Sequence, residues 1–171
     1  PVWSPTGLLA WTGCEPSGTC GIFADNPDDD QPPTRLTGSI NDISLNWSPN
    51  SELLIYMSNV TGNWDIYRLS ITGGVVALTD DPASDGLPAW APNGSAIAFV
   101  SNRDGNNEVY SQNTDRTGLQ NLTLNAASDT QPAVSPSGGF ILFTSDRDGN
   151  QEIYAIKSDG TSPLNLSANP A

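Results

Sequence analysis

Short apolar runs separated by turn-forming residues set the pattern of this chain. Between residues 88 and 123 they come as Pro88-Ala89-Trp90, Ala96-Ile97-Ala98-Phe99-Val100, Glu108-Val109-Tyr110-Ser111 and Gln120-Asn121-Leu122-Thr123. No window shows the helical spacing of apolar positions, whereas runs bounded by Gly, Pro, Asn and Asp predict four short β-strands. Pro92-Asn93-Gly94 closes the first pair of strands. Asn102-Arg103-Asp104-Gly105-Asn106 closes the second, with Gly105 free to take the positive φ that a hairpin turn needs.

The same pattern recurs along the whole chain. Trp-Ser/Ala-Pro occurs at Trp3, Trp47 and Trp90 and is matched by Val134-Ser135-Pro136, at spacings of 44, 43 and 44. Twenty residues after each anchor stands an aromatic, Phe23, Tyr67, Tyr110 or Tyr154, and fifteen residues after it a glycine, Gly18, Gly62, Gly105 or Gly149. Asp42, Asp85 and Asp129 precede the last three anchors by five residues, and Leu36-Thr37, Leu78-Thr79, Leu122-Thr123 and Leu166-Ser167 close the units. A four-stranded antiparallel unit of this length, repeated, is a propeller blade. The expected fold class is therefore all-β, a β-propeller with four blades at about residues 1–41, 42–84, 85–128 and 129–171.

Trp-Ser-Pro-x-Gly, then Ile-Ala-Phe, then Ser-x-Arg-Asp-Gly-Asn-x-Glu-Ile-Tyr, then Leu-Thr resembles the TolB-type propeller repeat. Ser101 to Tyr110 and Ser145 to Tyr154 carry it nearly intact, the second unit departs at Val60-Thr61-Gly62-Asn63, and the first keeps only the frame. The resemblance implies the fold across the whole chain. For function it implies a family whose members serve as envelope-complex subunits, peptidase gates or sugar-binding modules. TolB-type repeats more commonly build six or more blades. Further blades, a partner chain or a filament neighbour are thus expected over the outer faces of the first and fourth blades. The sequence opens on Pro1-Val2-Trp3 without an initiator methionine, as a processed product or a piece of a longer chain would.

Composition narrows the function. Nineteen Asp and Glu against six Lys and Arg give a net charge of −13, a field that repels nucleic-acid phosphates. Lys157 is the single lysine and no run of 18 apolar residues occurs, so neither a polybasic membrane patch nor membrane insertion by a helix is expected. With no histidine in the sequence, a Ser-His-Asp or Cys-His arrangement is impossible, as is a zinc site of the usual Cys/His kind. The recurrent carboxylates come once per unit, as structural positions do. The chain is read as a non-enzymatic extracytoplasmic propeller that binds protein partners or copies of itself. The propeller portion of a larger hydrolase and a carbohydrate-binding propeller are the alternatives.

Several residues are candidates for more. Asp42, Asp85 and Asp129 stand just before the innermost strands; as converging carboxylates they could hold Ca2+, and otherwise each caps its own loop. Asp104 and Asp148 resemble parts of calcium loops, but an Asp in such a turn also bonds backbone amides two residues on. The run Asp25-Asn26-Pro27-Asp28-Asp29-Asp30 is a cation candidate or a solvated loop. Trp11 and Trp64 could stack on a sugar or pack between blades. No other cofactor is expected. Asn-x-Ser/Thr begins at Asn46, Asn59, Asn93, Asn121 and Asn165. Of these, Asn59, Asn121 and Asn165 are placed where glycosylation could reach them, whereas Asn46, beside an anchor Trp, is expected to be inaccessible. Cys14 and Cys20 fall eleven and seventeen residues after their anchor, at the positions of Ser101 and Asn107, across a hairpin turn. They are expected to form a disulfide, which places the chain outside the cytoplasm, in an extracellular or periplasmic compartment.

Overall fold

The computed structural model describes residues 1–168. The chain divides into two compact units, Pro1–Asp80 and a second beginning at Asp81. The first holds one sheet of β1 (Val2–Trp3), β2 (Leu9–Cys14), β3 (Cys20–Asp25) and β4 (Thr34–Arg35), and another of β5 (Ile43–Trp47), β6 (Leu53–Ser58), β7 (Asp65–Ser70) and β8 (Val75–Ala77). The second holds β9 (Asp85–Trp90), β10 (Ala96–Ser101), β11 (Glu108–Asn113) and β12 (Gln120–Asn121), then β13 (Asp129–Val134), β14 (Phe140–Ser145), β15 (Glu152–Lys157) and β16 (Leu164–Asn165). Each sheet is an antiparallel meander in chain order, the propeller blade that the repeat predicts.

The two middle strands of every blade form its longest hairpin, and an aromatic pair stacks across each. Trp11 meets Phe23 at 5.8 Å, Tyr56 meets Tyr67 at 5.6 Å, Phe99 meets Tyr110 at 5.8 Å and Phe143 meets Tyr154 at 5.7 Å between ring centroids. Trp11 is thus the first blade's member of this series, a packing residue that is only half buried. Alternation along the strands gives each blade two apolar faces. In the second unit Ala98, Val109 and Leu122 of the third blade pack with Ile141, Phe143, Tyr154 and Ile156 of the fourth. In the first unit Ala10 and Ile22 meet Leu54, Tyr56, Tyr67 and Leu69 in the same way.

The innermost strands start earlier than the apolar pattern suggests. β9 begins at Asp85, three residues before Pro88, and its register against β10 shifts between Ala98 and Val100. The same shift occurs in the second and fourth blades. Opposite it, Ser44, Leu87 and Gln131 have φ of 56°, 50° and 55°, each three residues before its anchor. A bulge inserts one residue here, bends the strand and sets Asp85 opposite Ser101, where its carboxylate turns inward. Leu87 holds a left-handed conformation that favours glycine, with a largely exposed side chain. Leu87→Gly is expected to be neutral or to stabilise by up to about 1 kcal/mol, read as the midpoint of thermal unfolding. A clear loss would mean that the leucine side chain itself holds the bulge.

The aromatic pairing also corrects the first blade's alignment. Trp11↔Phe23 matches Phe99↔Tyr110, so the first hairpin of blade one is one residue shorter than that of blade three. Cys14 therefore corresponds to Asn102 rather than Ser101, one step nearer the turn. It still pairs directly with Cys20, and the two form a disulfide.

Candidate functional site

The charged residues that recur in the third and fourth blades are brought together inside each blade. Arg103, in the turn after β10, folds back so that its Nη2 donates to both carboxylate oxygens of Asp85, at 3.0 and 2.9 Å. Its Nε donates to the Ser101 hydroxyl at 2.9 Å, and its guanidinium lies 4.9 Å from the centre of the Tyr110 ring. Arg147 repeats this with Asp129 at 3.1 and 3.0 Å, Ser145 at 2.8 Å and Tyr154 at 4.4 Å. Asp85 and Asp129 are completely buried, and each guanidinium supplies the counter-charge and two of the donors that offset the cost of burying the carboxylate.

A second buried acid closes the outer edge of the same blade. Glu108 accepts from the Thr123 hydroxyl, from the Asn125 backbone at 2.9 Å and from the Asn106 amide at 2.8 Å. Asn106 also donates to the carbonyls of Asn125 and Ala127, tying the turn to the chain that leads into the next blade. Asn125 completes the link by donating to Asp129 at 2.5 Å. In the fourth blade Glu152 takes the Ser167 hydroxyl and the Asn150 amide. Together these contacts form a polar clamp that holds the hairpin turn, the fourth strand and the innermost strand of a blade.

The first two blades keep the clamp with altered parts. Blade two carries Val60 where Arg103 and Arg147 stand, so Asp42 has no arginine from that position. It accepts instead from the Thr37 hydroxyl at 2.5 Å, while the Asp42 carbonyl accepts from Thr12. Thr37 in turn accepts from the Ile22 backbone at 2.9 Å, as Thr79, Thr123 and Ser167 do from Ile66, Val109 and Ile153. Blade one has Gly21 in place of the acid, and Asp42 supplies that missing carboxylate from the following loop.

The aspartates considered for Ca2+, Asp42, Asp85 and Asp129, are thus each engaged within the unit that holds them. Among the described residues no group of three or more His, Cys, Asp or Glu is placed to hold a metal ion. Asp104 and Asp148 are fixed by side chains rather than by the amides expected. Asp104 accepts from the Tyr110 hydroxyl and from the Asn121 amide at 2.9 Å, and Asp148 from the Tyr154 hydroxyl and from Asn165 at 2.7 Å. The Asn121 and Asn165 nitrogens, where a glycan would attach, are therefore already bonded to the blade. Asn59 sits half-buried in the β6–β7 turn. Asn46, expected to be inaccessible, is exposed because Leu45 and Trp47 take the inward positions of β5. In the acidic run, Asn26 accepts from the Asp28 backbone at 3.2 Å and Asp29 from that of Gln31 at 2.9 Å, both local turns.

These contacts move the ionisation of their groups. The Tyr110 hydroxyl bond, then that of Asn121, holds Asp104 below the usual carboxylate range, and Tyr154 with Asn165 does the same for Asp148. Burial, reinforced by Asp104, pushes Tyr110 up, and burial with Asp42 and Tyr67 nearby pushes Tyr56 up. A tyrosine whose pKa is raised by folding adds stability below its unfolded value of about 10 and loses it as the pH rises further. A depressed aspartate adds stability above about 3.9 and loses it as the pH falls. Stability should therefore fall on both sides of a plateau, and the ring signals of Tyr56 and Tyr110, followed individually by NMR, should report tyrosinate only together with alkaline unfolding. Tyr56 and Tyr110 ionising in a chain that remains folded near pH 10 would contradict these environments.

One surface is left over. Leu142, Ile153 and Leu166 of the fourth blade stand at the repeat positions of Ala98, Val109 and Leu122, which are at most 3 % exposed. In the fourth blade the same positions are 39, 44 and 51 % exposed. A face that is core in blade three is open apolar surface in blade four.

Four-stranded blades with a hairpin aromatic pair and a polar clamp define a β-propeller domain. The chain belongs to the TolB beta propeller domain family, which matches residues 77–170. Among solved structures it is similar to TolB from Acinetobacter baumannii, at 25 % identity and a TM-score of 0.80, over 94 % of this chain and 41 % of that one. It is also similar to a puromycin-hydrolyzing peptidase of Mycobacterium tuberculosis, at 17 % identity and a TM-score of 0.79, over 98 % of this chain and 28 % of that one. An oligogalacturonate lyase from Vibrio parahaemolyticus follows at 13 % identity and a TM-score of 0.78, over 95 % of this chain and 50 % of that one. The last two likenesses show the fold alone. The chain spans at most half the length of these three structures. No curated protein matches it by sequence.

Proposed function

We propose that the chain is a non-enzymatic, protein-binding propeller segment that works outside the cytoplasm, with the open face of its fourth blade covered by another blade of the same repeat. The observation that carries this reading is the exposure of Leu142, Ile153 and Leu166 at positions that are core in blade three. A further blade would present the counterparts of Ile141, Phe143, Tyr154 and Ile156, the residues that cover Ala98, Val109 and Leu122 in the second unit. The likeness to TolB is consistent with a role in association. The reading of a non-catalytic role is favoured by the clamp, which occupies the recurrent acids and arginines, and by the lack of histidine for a triad. The Cys14–Cys20 disulfide favours an oxidising compartment, extracellular or periplasmic.

The 171-residue chain is expected to self-associate through this face, because another copy is the available source of a matching blade. Sedimentation velocity over a concentration series tests this, with Ile153→Lys placing a charge in the face. Association that Ile153→Lys removes supports the reading. A chain that stays monomeric at every concentration, or an association that the charge leaves intact, would count against it.

A further inference from the structure

Each two-blade unit carries a cleft at a similar place, and at three positions in or beside it a large side chain of the first unit gives way to a small one in the second. In the first unit the cleft has a volume of about 200 Å³ and its lining includes Leu8 and Ile71. In the second it reaches about 410 Å³, and its lining includes Ala96, Val134 and Ser158. The pairing Trp3↔Leu9 matches Trp90↔Ile97, so Ala96 stands where Leu8 does. Ser158 follows the anchor Val134 by 24 residues, as Ile71 follows Trp47. Val134 itself replaces Trp47, which is 8 % exposed and donates from its indole nitrogen to the Val2 carbonyl at 3.2 Å. Three large side chains of the first unit have become an alanine, a valine and a serine in the second, and the cleft is about twice as large.

The enlarged cleft has a consistent chemistry. No Asp, Glu, Lys or Arg lines it, in a chain of net charge −13, whereas Asp25 and Asp29 line its counterpart. Val134 and Ile141 of the fourth blade and Ala96 of the third supply apolar lining, and Ser111, Asn113 and Gln120 of the third blade supply hydroxyl and amide groups, with Asn113 paired directly to Ala96. The Gln120 amide is held by a bond to the Asp159 carbonyl at 3.0 Å, so this polar edge is preformed. A half-apolar cleft with a few fixed polar groups, within the range of about 300–1,000 Å³ typical of small-ligand sites, is suited to binding.

We propose that this cleft is a binding site for a neutral aromatic ring with one hydrogen-bonding edge, of the indole or phenol class. The ring would take the space left by the missing tryptophan, leucine and isoleucine. Its polar edge would meet Ser111, Asn113 or Gln120. The absence of a cation in the wall and the acidic field of the chain select against anionic aromatics. The site is independent of the open face of blade four and of whether the chain is a scaffold.

Titration of the 171-residue chain with indole, followed by the side-chain amide signals of Asn113 and Gln120 and the methyl signals of Ala96 and Val134, tests the proposal. Saturable shifts confined to these residues are expected. Indole-3-acetate should bind at least about tenfold more weakly. Val134→Trp, which restores the residue of the first unit, should weaken indole binding by at least about tenfold, and Ser158→Ile should do the same should the tryptophan disturb folding. N-acetyl-tryptophanamide distinguishes the source of the ring. Tighter binding than indole points to a tryptophan side chain of a protein, weaker binding points to a free small molecule, and either result upholds the site. No saturable shift with indole, or equal binding by the wild type and both filled variants, would overturn it.

Discussion

Arg103→Met is expected to destabilise the second unit by about 3–5 kcal/mol, the usual consequence of removing one partner from a buried ion pair. Methionine keeps most of the apolar stem that lies along Phe99 and Tyr110, so lost packing is a small part of the effect. What is lost is the cation. Asp85 is fully buried, and Arg103 gives it two hydrogen bonds, at 3.0 and 2.9 Å, as well as its counter-charge. Asp81, 3.8 Å from the guanidinium at the protein surface, adds little because exposed pairs are weak. Removing the buried negative charge as well, in Asp85→Asn with Arg103→Met, should recover part of the loss. Urea unfolding at an unchanged slope gives both numbers. A loss below about 1 kcal/mol for the single variant would show that the pair does not hold the blade.

Gly21→Glu should also be severe, although the repeat itself suggests that substitution. Asp65, Glu108 and Glu152 occupy the equivalent position in the other three blades, so an average of the four units would place an acid at residue 21. In blade one a Cβ there would lie 2.7 Å from the Thr37 carbonyl carbon and closer still to its oxygen, both backbone atoms that cannot swing away. The acid that Thr37 would otherwise bond is already present as Asp42. Forcing side-chain atoms into this space, and adding a buried carboxylate without a partner, should cost about 3 kcal/mol or more. Gly21→Ala separates the two effects, since it adds only the clash. An unfolding midpoint close to that of the wild type for both variants would mean that the chain at Thr37 can move aside.

The fold could be read from the repeat because the signals that specify a blade are local. Runs of alternating residues, a glycine in each turn and an aromatic on each third strand recur at nearly constant spacing, and each run holds a strand in the structure, the fourth being cut short at Asn121 before Leu122 and Thr123. The cysteine pair was legible for the same reason, since a short turn places its two ends opposite each other. A one-residue deletion before Trp11 shifted the alignment without separating them. The clamp was not legible. Arg103 and Asp85 are 18 residues apart, on either side of a hairpin, and they meet because a bulge at Leu87 turns the start of β9 inward. A signal was nonetheless present: arginine stands thirteen residues after the anchor in the two units whose Asp is paired with it, and Val60 stands there in the unit whose Asp is not. Asn46 was misjudged because its neighbours Leu45 and Trp47 take the buried side of β5. The bonds of Asn121 and Asn165 to Asp104 and Asp148 depend on a register across the blade that spacing alone does not reveal.

The open face of blade four is tested most directly by hydroxyl-radical footprinting of the protein in its natural source material, compared with the isolated 171-residue chain. Coverage by a further blade predicts that Leu142, Ile153 and Leu166 react readily in the isolated chain diluted until it is monomeric and are protected in the natural form, to the level of the buried Leu122. Equal reactivity of the three leucine and isoleucine side chains in both preparations would contradict it.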